Sequence, residues 1–294
     1  MKQKLQKTDF FAPAKVNLTL HVVGQDSNGL HLLDSLVTFP PIGDTLSFSN
    51  AKKLKLSVIT DKKTTLTNKP DNLILKSAAM FDKTYLRHII LTKRLPISAG
   101  IGGGSADAAA TIRDAISLDY KVSLKKVRSL GADVMACLQS QPLRMRGVGE
   151  IIDSVEIWPV AGSIILVNPG IQLETKKVFG ALSKKENKPM PERLPIFSDF
   201  KTLVNFIKTQ RNDLENTAIN LEPIIEKVLV EIKHSENCLI SRMSGSGTTC
   251  FGLFEKAEEA DEASFRLKRA FPNWWIVSSQ ISICKKYLKG VNRL

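Results

Sequence analysis

The residues with the clearest chemical potential form a glycine-rich segment that runs directly into an alanine-rich one. Residues 96–110 read Pro-Ile-Ser-Ala-Gly-Ile-Gly-Gly-Gly-Ser-Ala-Asp-Ala-Ala-Ala, so four glycines fall within five positions. Glycine permits left-handed backbone conformations and lets a ligand approach its N–H group closely. Apolar residues then recur at Ala108, Ile112 and Ile116, which predicts a helix over 105–118. A glycine-rich turn that opens a helix is typical of a phosphate-binding site, because unpaired N–H groups and the positive helix end face the ligand.

Two common phosphate-binding motifs and the protein-kinase signature are excluded. A Walker A loop ends in Gly-Lys-Ser/Thr, whereas Gly104 is followed by Ser105 and Ala106. A dinucleotide-binding turn needs a glycine three positions after Gly102, where Ser105 stands. The chain has no His-Arg-Asp or Asp-Phe-Gly element. The residues alone leave a second interpretation open, a structural connection in which Ser105 only caps the helix.

Three further polar residues have types and positions suited to chemistry at such a site. Lys15 and Asn17 alternate with apolar residues in a predicted strand over 14–23, so their side chains share one face. Asp133 follows a Gly-Ala pair at the start of a predicted short helix. Each also has a purely structural interpretation, Lys15 as a solvated strand residue and Asp133 as a helix N-cap.

The composition is that of a globular chain with a strong positive charge. The 294 residues are enough for two domains, and 43% of them are hydrophobic and 24% charged. The net charge of +13 indicates an anionic partner, such as a phosphorylated small molecule, a nucleic acid or an anionic lipid, or else a solvated basic surface. The basic residues are scattered with no long basic arm, which favours the solvated surface.

Cysteines and apolar runs indicate the compartment. The four cysteines contain no Cys-x-x-Cys pair, so neither a zinc site nor a disulfide framework is predicted. Residues 1–11 lack the apolar core of a signal peptide, and the strongest apolar run, 163–167, is too short to span a bilayer. We therefore expect a soluble, cytoplasmic protein.

Periodicity along the remaining chain predicts both strands and helices, with a crossing into a second domain around 159–162. A helix is predicted from Pro70 to about Tyr85 with Asp71 as its N-cap, and Ser123 caps a helix over 124–130. The other predicted elements are two strands within 43–59, strands at 89–92, 164–167 and 275–277, two apolar strands on either side of 241–248 of which the second runs to 254, a helix that begins at 175, and helices at 221–234 and 257–269.

Four motifs resemble those of the GHMP kinases, the superfamily of galactokinase, homoserine kinase and mevalonate kinase. They are Ala-Pro-Ala-Lys-Val-Asn-Leu at 12–18, Pro-x-x-x-Gly-x-Gly-Gly-Gly-Ser-Ala-Asp at 96–107, Leu-Gly-Ala-Asp-Val at 130–134 and Ser-Gly-Ser-Gly-Thr at 244–248. The resemblance covers nearly the full chain and implies a two-domain α+β fold. Residues 1–160 would form an α/β domain like one of a ribosomal protein, and residues 161–294 a ferredoxin-like domain.

The same resemblance implies a kinase that uses ATP and Mg²⁺ to phosphorylate an alcohol. The Gly-Gly-Gly-Ser-Ala-Asp-Ala-Ala form is most similar to one branch of the family, in the non-mevalonate isoprenoid pathway. That branch phosphorylates the 2-hydroxyl of a methylerythritol carrying a cytidine diphosphate group. The implied partner is this small molecule, with no nucleic acid and no membrane, and the implied assembly is a monomer or weak homodimer.

The resemblance also assigns roles to individual residues. Lys15 and Asp133 are the implied catalytic pair, with Asp133 as base or orienting group and Lys15 as charge stabiliser, and Ser105 is an implied metal contact. The implied ATP-binding residues are Asn72, Lys93, Pro96, Ile97, Ser98, Ala99, Gly100, Ile101, Gly102, Gly103, Gly104, Ser105 and Ala106. The implied substrate-binding residues are Asn17, His31, Thr175, Phe179, Ser244 and Gly245.

Two positions depart from the family pattern. Leu30 stands where the family has a tyrosine that stacks on cytosine, and Met135 stands where a proline follows Asp-Val. Two other functions stay open. One is a GHMP kinase for another acceptor, such as a mevalonate-type alcohol. The other is a nucleic-acid-binding protein, which the charge of +13 and the ribosomal-protein-like domain would fit.

Overall fold

Thirteen strands and nine helices form the part of the chain that the structure, a computed structural model, describes: residues 7–60, 71–155, 157–159 and 161–282. The strands are β1 (Thr8–Pro13), β2 (Val16–Asn17), β3 (His21–Gln25), β4 (His31–Thr38), β5 (Gly43–Asn50), β6 (Lys55–Thr60), β7 (Arg87–Lys93), β8 (Leu143–Gly147), β9 (Ile151–Ser154), β10 (Ser163–Asn168), β11 (Ile240–Met243), β12 (Cys250–Phe254) and β13 (Trp275–Gln280). The helices are α1 (Leu73–Ala78), α2 (Gly103–Ser117), α3 (Leu124–Leu130), α4 (Ala132–Gln139), α5 (Thr175–Ala181), α6 (Phe200–Lys208), α7 (Glu215–Leu221), α8 (Ile224–Lys233) and α9 (Ala257–Ala270). None of the described helices combines the length and apolar character needed to cross a bilayer.

The first sheet has the strand order β1-β5-β7-β6 and packs against helix α2. Every residue of α2 from Ala106 to Ile116 is buried, because the helix lies between this sheet and helices α1 and α4. Its alanines allow close packing on more than the single predicted face. Arg113 is buried as well, and its guanidinium donates to Cys137 O at 3.0 Å and to Phe11 O at 2.7 Å. The helix that follows the glycine-rich segment is therefore fixed on all sides.

The second sheet has the order β2-β4-β8-β9, with β3 also paired to β4, and it corrects the predicted strand over 14–23. The strand is interrupted after Asn17, because Leu18 and Thr19 both donate their N–H groups to Leu36 O, at 2.8 and 3.3 Å. Thr19 Oγ1 in turn accepts from Leu36 N at 2.9 Å. Both faces of this segment are covered by other elements, so its polar side chains are buried rather than solvated.

The third sheet is antiparallel throughout, with the order β11-β12-β10-β13. Four helices separate β10 from β11 and α9 separates β12 from β13, which gives the β-α-β-β-α-β pattern of a ferredoxin-like unit. Strand β10 is buried on both faces: Ile164 and Leu166 pack toward the first half of the chain, and Ile165 and Val167 pack toward α8 and α9. The predicted α+β class is confirmed, and the boundary after residue 160 stays a prediction.

Two predicted helices differ from those observed. Helix α1 is short, and its N-cap is Asn72 rather than Asp71, since Asn72 Oδ1 accepts from Ile74 N at 2.8 Å. The predicted helix over 221–234 is observed as α8, which begins only at Ile224, because Pro223 lacks an N–H and disfavours helical conformation in the preceding residue; Leu221 instead ends the separate helix α7.

A buried ion pair within the second sheet binds a segment from the second half of the chain. Arg144 on β8 donates to both carboxylate oxygens of Asp34 on β4, at 2.7 Å each. The same guanidinium donates to the carbonyl oxygens of Pro191 and Glu192, at 2.9 Å each, and Met190 N donates to Asp34 at 2.8 Å. The segment 190–192 is thereby fixed to the second sheet.

Candidate active site

The glycine-rich segment forms a loop with left-handed backbone at two of its glycines. Gly100 and Gly102 have φ angles of +71° and +64°. Gly102 is the N-cap of α2, whose first intrahelical hydrogen bond runs from Ala106 N to Gly102 O at 2.9 Å. The N–H groups of residues 103–105 precede that bond and have no acceptor within the helix. Together with the positive end of the helix dipole, they form a place for a phosphate group.

These N–H groups border a cleft of about 1630 Å³. The implied catalytic residues and nearly all of the implied ATP- and substrate-binding residues line it. The exceptions are Ile101, Ala106 and Ser244, which are buried behind the wall. The structure therefore brings together residues that lie more than 200 positions apart in the sequence, such as Asn17 and Gly245.

Lys15 and Asp133 face each other across the loop. Lys15 Nζ donates to Asp133 Oδ1 at 2.6 Å, and the lysine side chain is 6% exposed while that of the aspartate is 34% exposed. The Lys15 backbone is held by its own N–H, which donates to Ile101 O at 2.9 Å. Asp133 lies in the first turn of α4, and Gly131 rather than Asp133 occupies the N-cap position. The carboxylate therefore faces the cleft instead of capping the helix.

Gly102 lies against this pair. A Cβ at Gly102 would stand 3.2 Å from Lys15 Cβ and 3.8 Å from Asp133 Oδ2. Two local features therefore favour glycine at position 102, namely the left-handed φ and the close approach of the lysine side chain.

The Ser-Gly motif between β11 and β12 packs against the glycine-rich loop, backbone to backbone. A Cβ at Gly100 would lie 2.6 Å from Gly247 O and 2.7 Å from Ser244 O. Ser244 Oγ accepts from Asn17 N at 3.1 Å and donates to Gly100 O at 3.2 Å. Ser244 therefore connects the loop to strand β2, which follows Lys15 directly, whereas its neighbour Gly245 lines the cleft.

Asn17 contributes an unused acceptor to the cleft. Its Nδ2 donates to Ser35 Oγ at 2.7 Å, and Ser35 Oγ in turn donates to Thr19 O, which fixes the orientation of the amide. Asn17 Oδ1 is buried, and none of the described residues supplies it with a hydrogen-bond partner. Because buried polar atoms are nearly always paired, this oxygen is suited to accept a hydrogen bond from a substrate hydroxyl.

Lys93 is engaged by two carboxylates at the base of the loop. Its Nζ donates to Asp44 Oδ2 at 2.6 Å and to Asp107 Oδ2 at 3.0 Å. Burial alone would lower the pKa of Lys93, but the charges of Asp107 and Asp44 reverse this and raise it. Asp44 Oδ1 also accepts from the N–H groups of Arg94 and Leu95, at 2.6 and 2.9 Å. This cluster anchors the chain where it enters the loop, while direct contact between Lys93 and ATP stays a prediction.

The Asp107 carboxyl in this cluster keeps one oxygen unpaired. Burial raises the pKa of Asp107, and the positive charge of Lys93 opposes that rise. Asp107 Oδ1 is buried, with no hydrogen-bond partner within the described ranges. Asn72, the N-cap of α1, also lines the cleft. Its contact with ATP likewise stays a prediction.

An aromatic surface forms the other part of the cleft. The rings of His31 and Phe179 are stacked, with centroids 4.7 Å apart and planes inclined by 22°. Burial and the positive charge of Lys185 lower the pKa of His31, which favours a neutral imidazole. His31 Nδ1 is buried and has no hydrogen-bond partner in the part of the chain that the structure describes. Leu30, the residue before it, is 54% exposed. Because it is a leucine, it adds no second aromatic ring to this surface.

Several polar residues of the cleft wall were not assigned a role from the sequence, and five of them bear on the site. They are Arg128, Glu150, Lys176, Lys185 and Ser246. A sequence signal was available for Glu150, because it directly follows a Gly-x-Gly turn. In the structure its carboxylate lies over Gly147, where a Cβ would stand 2.4 Å from Glu150 Oε1. Lys176 lies three positions before Phe179 in a predicted helix, so helical spacing also placed it beside a candidate residue. Lys185 lies in a loop, where no periodicity predicts the direction in which a side chain points.

Comparison with known proteins shows which family has this architecture. A model of the GHMP kinase N-terminal domain matches residues 72–142, and a model of the GHMP kinase C-terminal region matches residues 197–273. A crystal structure of 4-(cytidine 5'-diphospho)-2C-methyl-D-erythritol kinase superposes with a TM-score of 0.76 at 27% identity, covering 93% of this chain and 99% of that chain. Homoserine kinase from Cytophaga hutchinsonii shares the fold, with a TM-score of 0.65 at 18% identity over 96% of both chains. The fold and the cleft are those of a GHMP kinase.

Relatives of known name narrow the class. The 4-diphosphocytidyl-2-C-methyl-D-erythritol kinase of Paracoccus denitrificans (strain Pd 1222) is 46% identical over 274 residues, which cover 93% of this chain and 97% of the relative. The enzyme of the same name from Paramagnetospirillum magneticum (strain ATCC 700264 / AMB-1) is 45% identical over 281 residues, which cover 92% and 97%. The chain belongs to the 4-diphosphocytidyl-2-C-methyl-D-erythritol kinase family of GHMP kinases.

Proposed function

We propose that the protein transfers the terminal phosphoryl group of ATP to the 2-hydroxyl of 4-diphosphocytidyl-2-C-methyl-D-erythritol, in the non-mevalonate isoprenoid precursor pathway. The observation that carries the proposal is the contact of Lys15 with Asp133 at the mouth of α2, in one cleft with the stacked rings of His31 and Phe179. One end of the cleft suits a triphosphate and the other suits a planar base, so both substrates can meet at the lysine and the aspartate.

The backbone at the start of α2 would bind the nucleotide phosphates. We expect the N–H groups of residues 103–105 to donate without moving, because the helix that follows them is buried among its neighbours from Ala106 to Ile116. Phosphoryl transfer depends largely on positioning and on compensation of charge, and a preformed set of donors supplies both. The Ser-Gly motif supports this loop from the other side.

The two side chains at the centre would act on the acceptor alcohol. Asp133 Oδ1 accepts from Lys15 Nζ, which orients the carboxylate, and Asp133 would receive the hydroxyl proton or orient the hydroxyl. Lys15 would compensate the negative charge of the transferring phosphoryl group. Asn17 Oδ1 would accept from another hydroxyl of the polyol, which would fix the acceptor relative to Asp133.

The donor set fits a magnesium ion that arrives with the nucleotide. No group of three or more His, Cys, Asp or Glu side chains suited to a metal occurs among the residues the structure describes. Magnesium typically takes one or two protein ligands and completes its shell with phosphate oxygens and water, and Ser105 Oγ at the cleft would be such a ligand. When bound, the ion would neutralise charge on the phosphate oxygens.

The experiment that tests the proposal is a coupled ADP-release assay with ATP and the cytidylylated acceptor. We expect ADP release that requires this acceptor and does not occur with mevalonate. Thermal protection by CMP, but not by UMP or mevalonate, is expected alongside it. Leu30 favours a second candidate, a GHMP kinase for an acceptor without cytidine, and equal protection by all three compounds would favour that candidate instead.

A further inference from the structure

The cationic side chains that line the cleft fall into two groups. Lys15 is paired with Asp133, and Lys93 is paired with Asp44 and Asp107. The other cations of the described cleft wall, Arg128, Lys176 and Lys185, form no ion pair or hydrogen bond with the described residues. Two of these three, Lys176 and Lys185, belong to the part of the wall formed by α5 and the loop that follows it.

Helix α5 connects the centre of the cleft to its aromatic surface. At its first residue, Thr175 Oγ1 shares a hydrogen bond of 2.8 Å with Ser246 Oγ in the Ser-Gly motif. Phe179, four residues later, stacks on His31. Four residues of helix advance by roughly 6 Å, and side chains three or four positions apart lie on the same side. Lys176 is thus on the cleft side of the helix between the phosphoryl-transfer centre and the surface for the base.

Lys185 approaches the same region from the loop. It lines the cleft, and its positive charge reaches His31 strongly enough to help lower the pKa of that ring. Its neighbour Lys184 is also exposed but lies outside the cleft wall. The same contrast holds on α5, where Lys177 turns away from the cleft and pairs with Glu174 at 3.1 Å.

We propose that Lys176 and Lys185 bind the diphosphate that links the cytidine to the polyol of the acceptor. This inference rests on the proposed function, since it needs the base at His31 and Phe179 and the polyol at Asp133. A diphosphate that joins these two places has to pass along α5, where the structure offers two cations without partners. Lys176 and Lys185 therefore determine preference for a diphosphate-bearing acceptor, while the aromatic surface determines preference for the base.

Calorimetric titration of CMP and CDP into the full-length protein tests this inference. We expect the wild type to bind CDP more tightly than CMP. In the double variant Lys176→Ala/Lys185→Ala, this preference should fall by about tenfold, because each exposed ion pair contributes a fewfold effect and the two act together. The Kd for CMP should change little by comparison.

The double variant Lys184→Ala/Lys188→Ala is the matched control, because it removes the same charge from exposed positions outside the cleft wall and leaves the ion pair of Lys177 with Glu174, a residue of that wall, intact. It should keep the CDP preference of the wild type. All four lysines are exposed, so both variants should fold, which thermal unfolding checks. An equal loss of CDP preference in both variants would show a general charge effect and overturn the assignment.

Two further outcomes separate this inference from the proposed function. Wild type that binds CMP but shows no preference for CDP, or a Lys176→Ala/Lys185→Ala variant that retains the preference, overturns the lysine assignment alone. Wild type that binds neither nucleotide, while ATP still binds, overturns the cytidine-bearing acceptor and this inference with it.

Discussion

Lys15 Nζ lies 2.6 Å from Asp133 Oδ1, although 118 positions separate the two residues in the chain. The contact is made possible by Gly102, whose missing side chain leaves room for the lysine beside the loop. One structural arrangement therefore couples the phosphate-binding backbone to the two side chains proposed to act on the acceptor.

Replacing the carboxylate tests its chemical role. Asp133→Asn keeps the size of the side chain but removes the proton acceptor, so turnover should fall by about 10²–10⁴-fold. ATP affinity should stay close to that of the wild type, because the backbone donors at α2 are unchanged. Steady-state ADP release and nucleotide titration measure the two effects. Asp153→Asn, which removes an exposed carboxylate paired with Arg146, is the control and should retain full activity. Comparable turnover in the two variants would contradict a catalytic role for Asp133.

The glycine at the N-cap of α2 has a steric role that a neighbouring glycine lacks. Gly102→Ala would force a left-handed alanine and press a methyl group against Lys15, 3.2 Å away, so both Tm and kcat should fall. A small displacement of a reacting group can cost about 10²-fold in rate, which sets the scale of the kcat effect. Gly104→Ala places its Cβ in ordinary contact with Leu73, at 3.6 Å, within a helix, so its Tm should not fall. Differential scanning calorimetry of both variants decides, and equal losses of Tm would count against the steric explanation.

Leu30 provides a gain-of-function test of the base site. Leu30→Tyr adds an aromatic ring beside the stacked pair of His31 and Phe179, and an aromatic contact typically contributes about 0.5–1.5 kcal/mol. CMP affinity should therefore increase by about two- to tenfold, measured by titration calorimetry. Leu118→Tyr makes the same substitution at an exposed leucine outside the cleft and should leave the affinity unchanged. Weaker CMP binding in Leu30→Tyr would show that the base does not lie beside Leu30.

The pKa of His31 reports directly on its surroundings. Burial and then the charge of Lys185 lower it below 6.5, so the ring should remain mostly neutral at pH 6.5 and gain its proton only at more acidic pH. Lys185→Ala removes the positive charge and should raise the pKa toward 6.5, but not above it, because burial remains. NMR titration of the His31 ring measures the shift. Lys184→Ala should leave the midpoint in place, and an unchanged midpoint in Lys185→Ala would place that lysine away from the ring.

Local patterns predicted the parts of the fold and site that depend on neighbouring residues. The glycine-rich turn, helix α2 and the buried strand β10 follow from short-range glycine, alanine and apolar spacing. Lys15 and Asp133 were found through motifs of a few residues each, and their contact then followed from the fold.

Long-range contacts explain what the sequence could not supply. The break after Asn17 arises because Leu18 and Thr19 share one carbonyl on a strand nearly twenty positions away. The pairing of Lys93 with Asp44 and Asp107 likewise joins three distant segments, and no local pattern distinguishes it from direct contact with ATP.

The ion pair of Asp34 with Arg144 has a consequence for how products leave. Pulling the two halves apart would leave Asp34 and Arg144 paired within the second sheet, but it would break the hydrogen bonds that the segment 190–192 makes to these buried charges, and a hydrogen bond to a charged group typically contributes about 1.5–3 kcal/mol. A wide hinge-like opening during each catalytic cycle is therefore unfavourable. We therefore expect ADP and the phosphorylated product to leave through the open side of the cleft, whose wall includes the exposed residues Leu30 and Lys185.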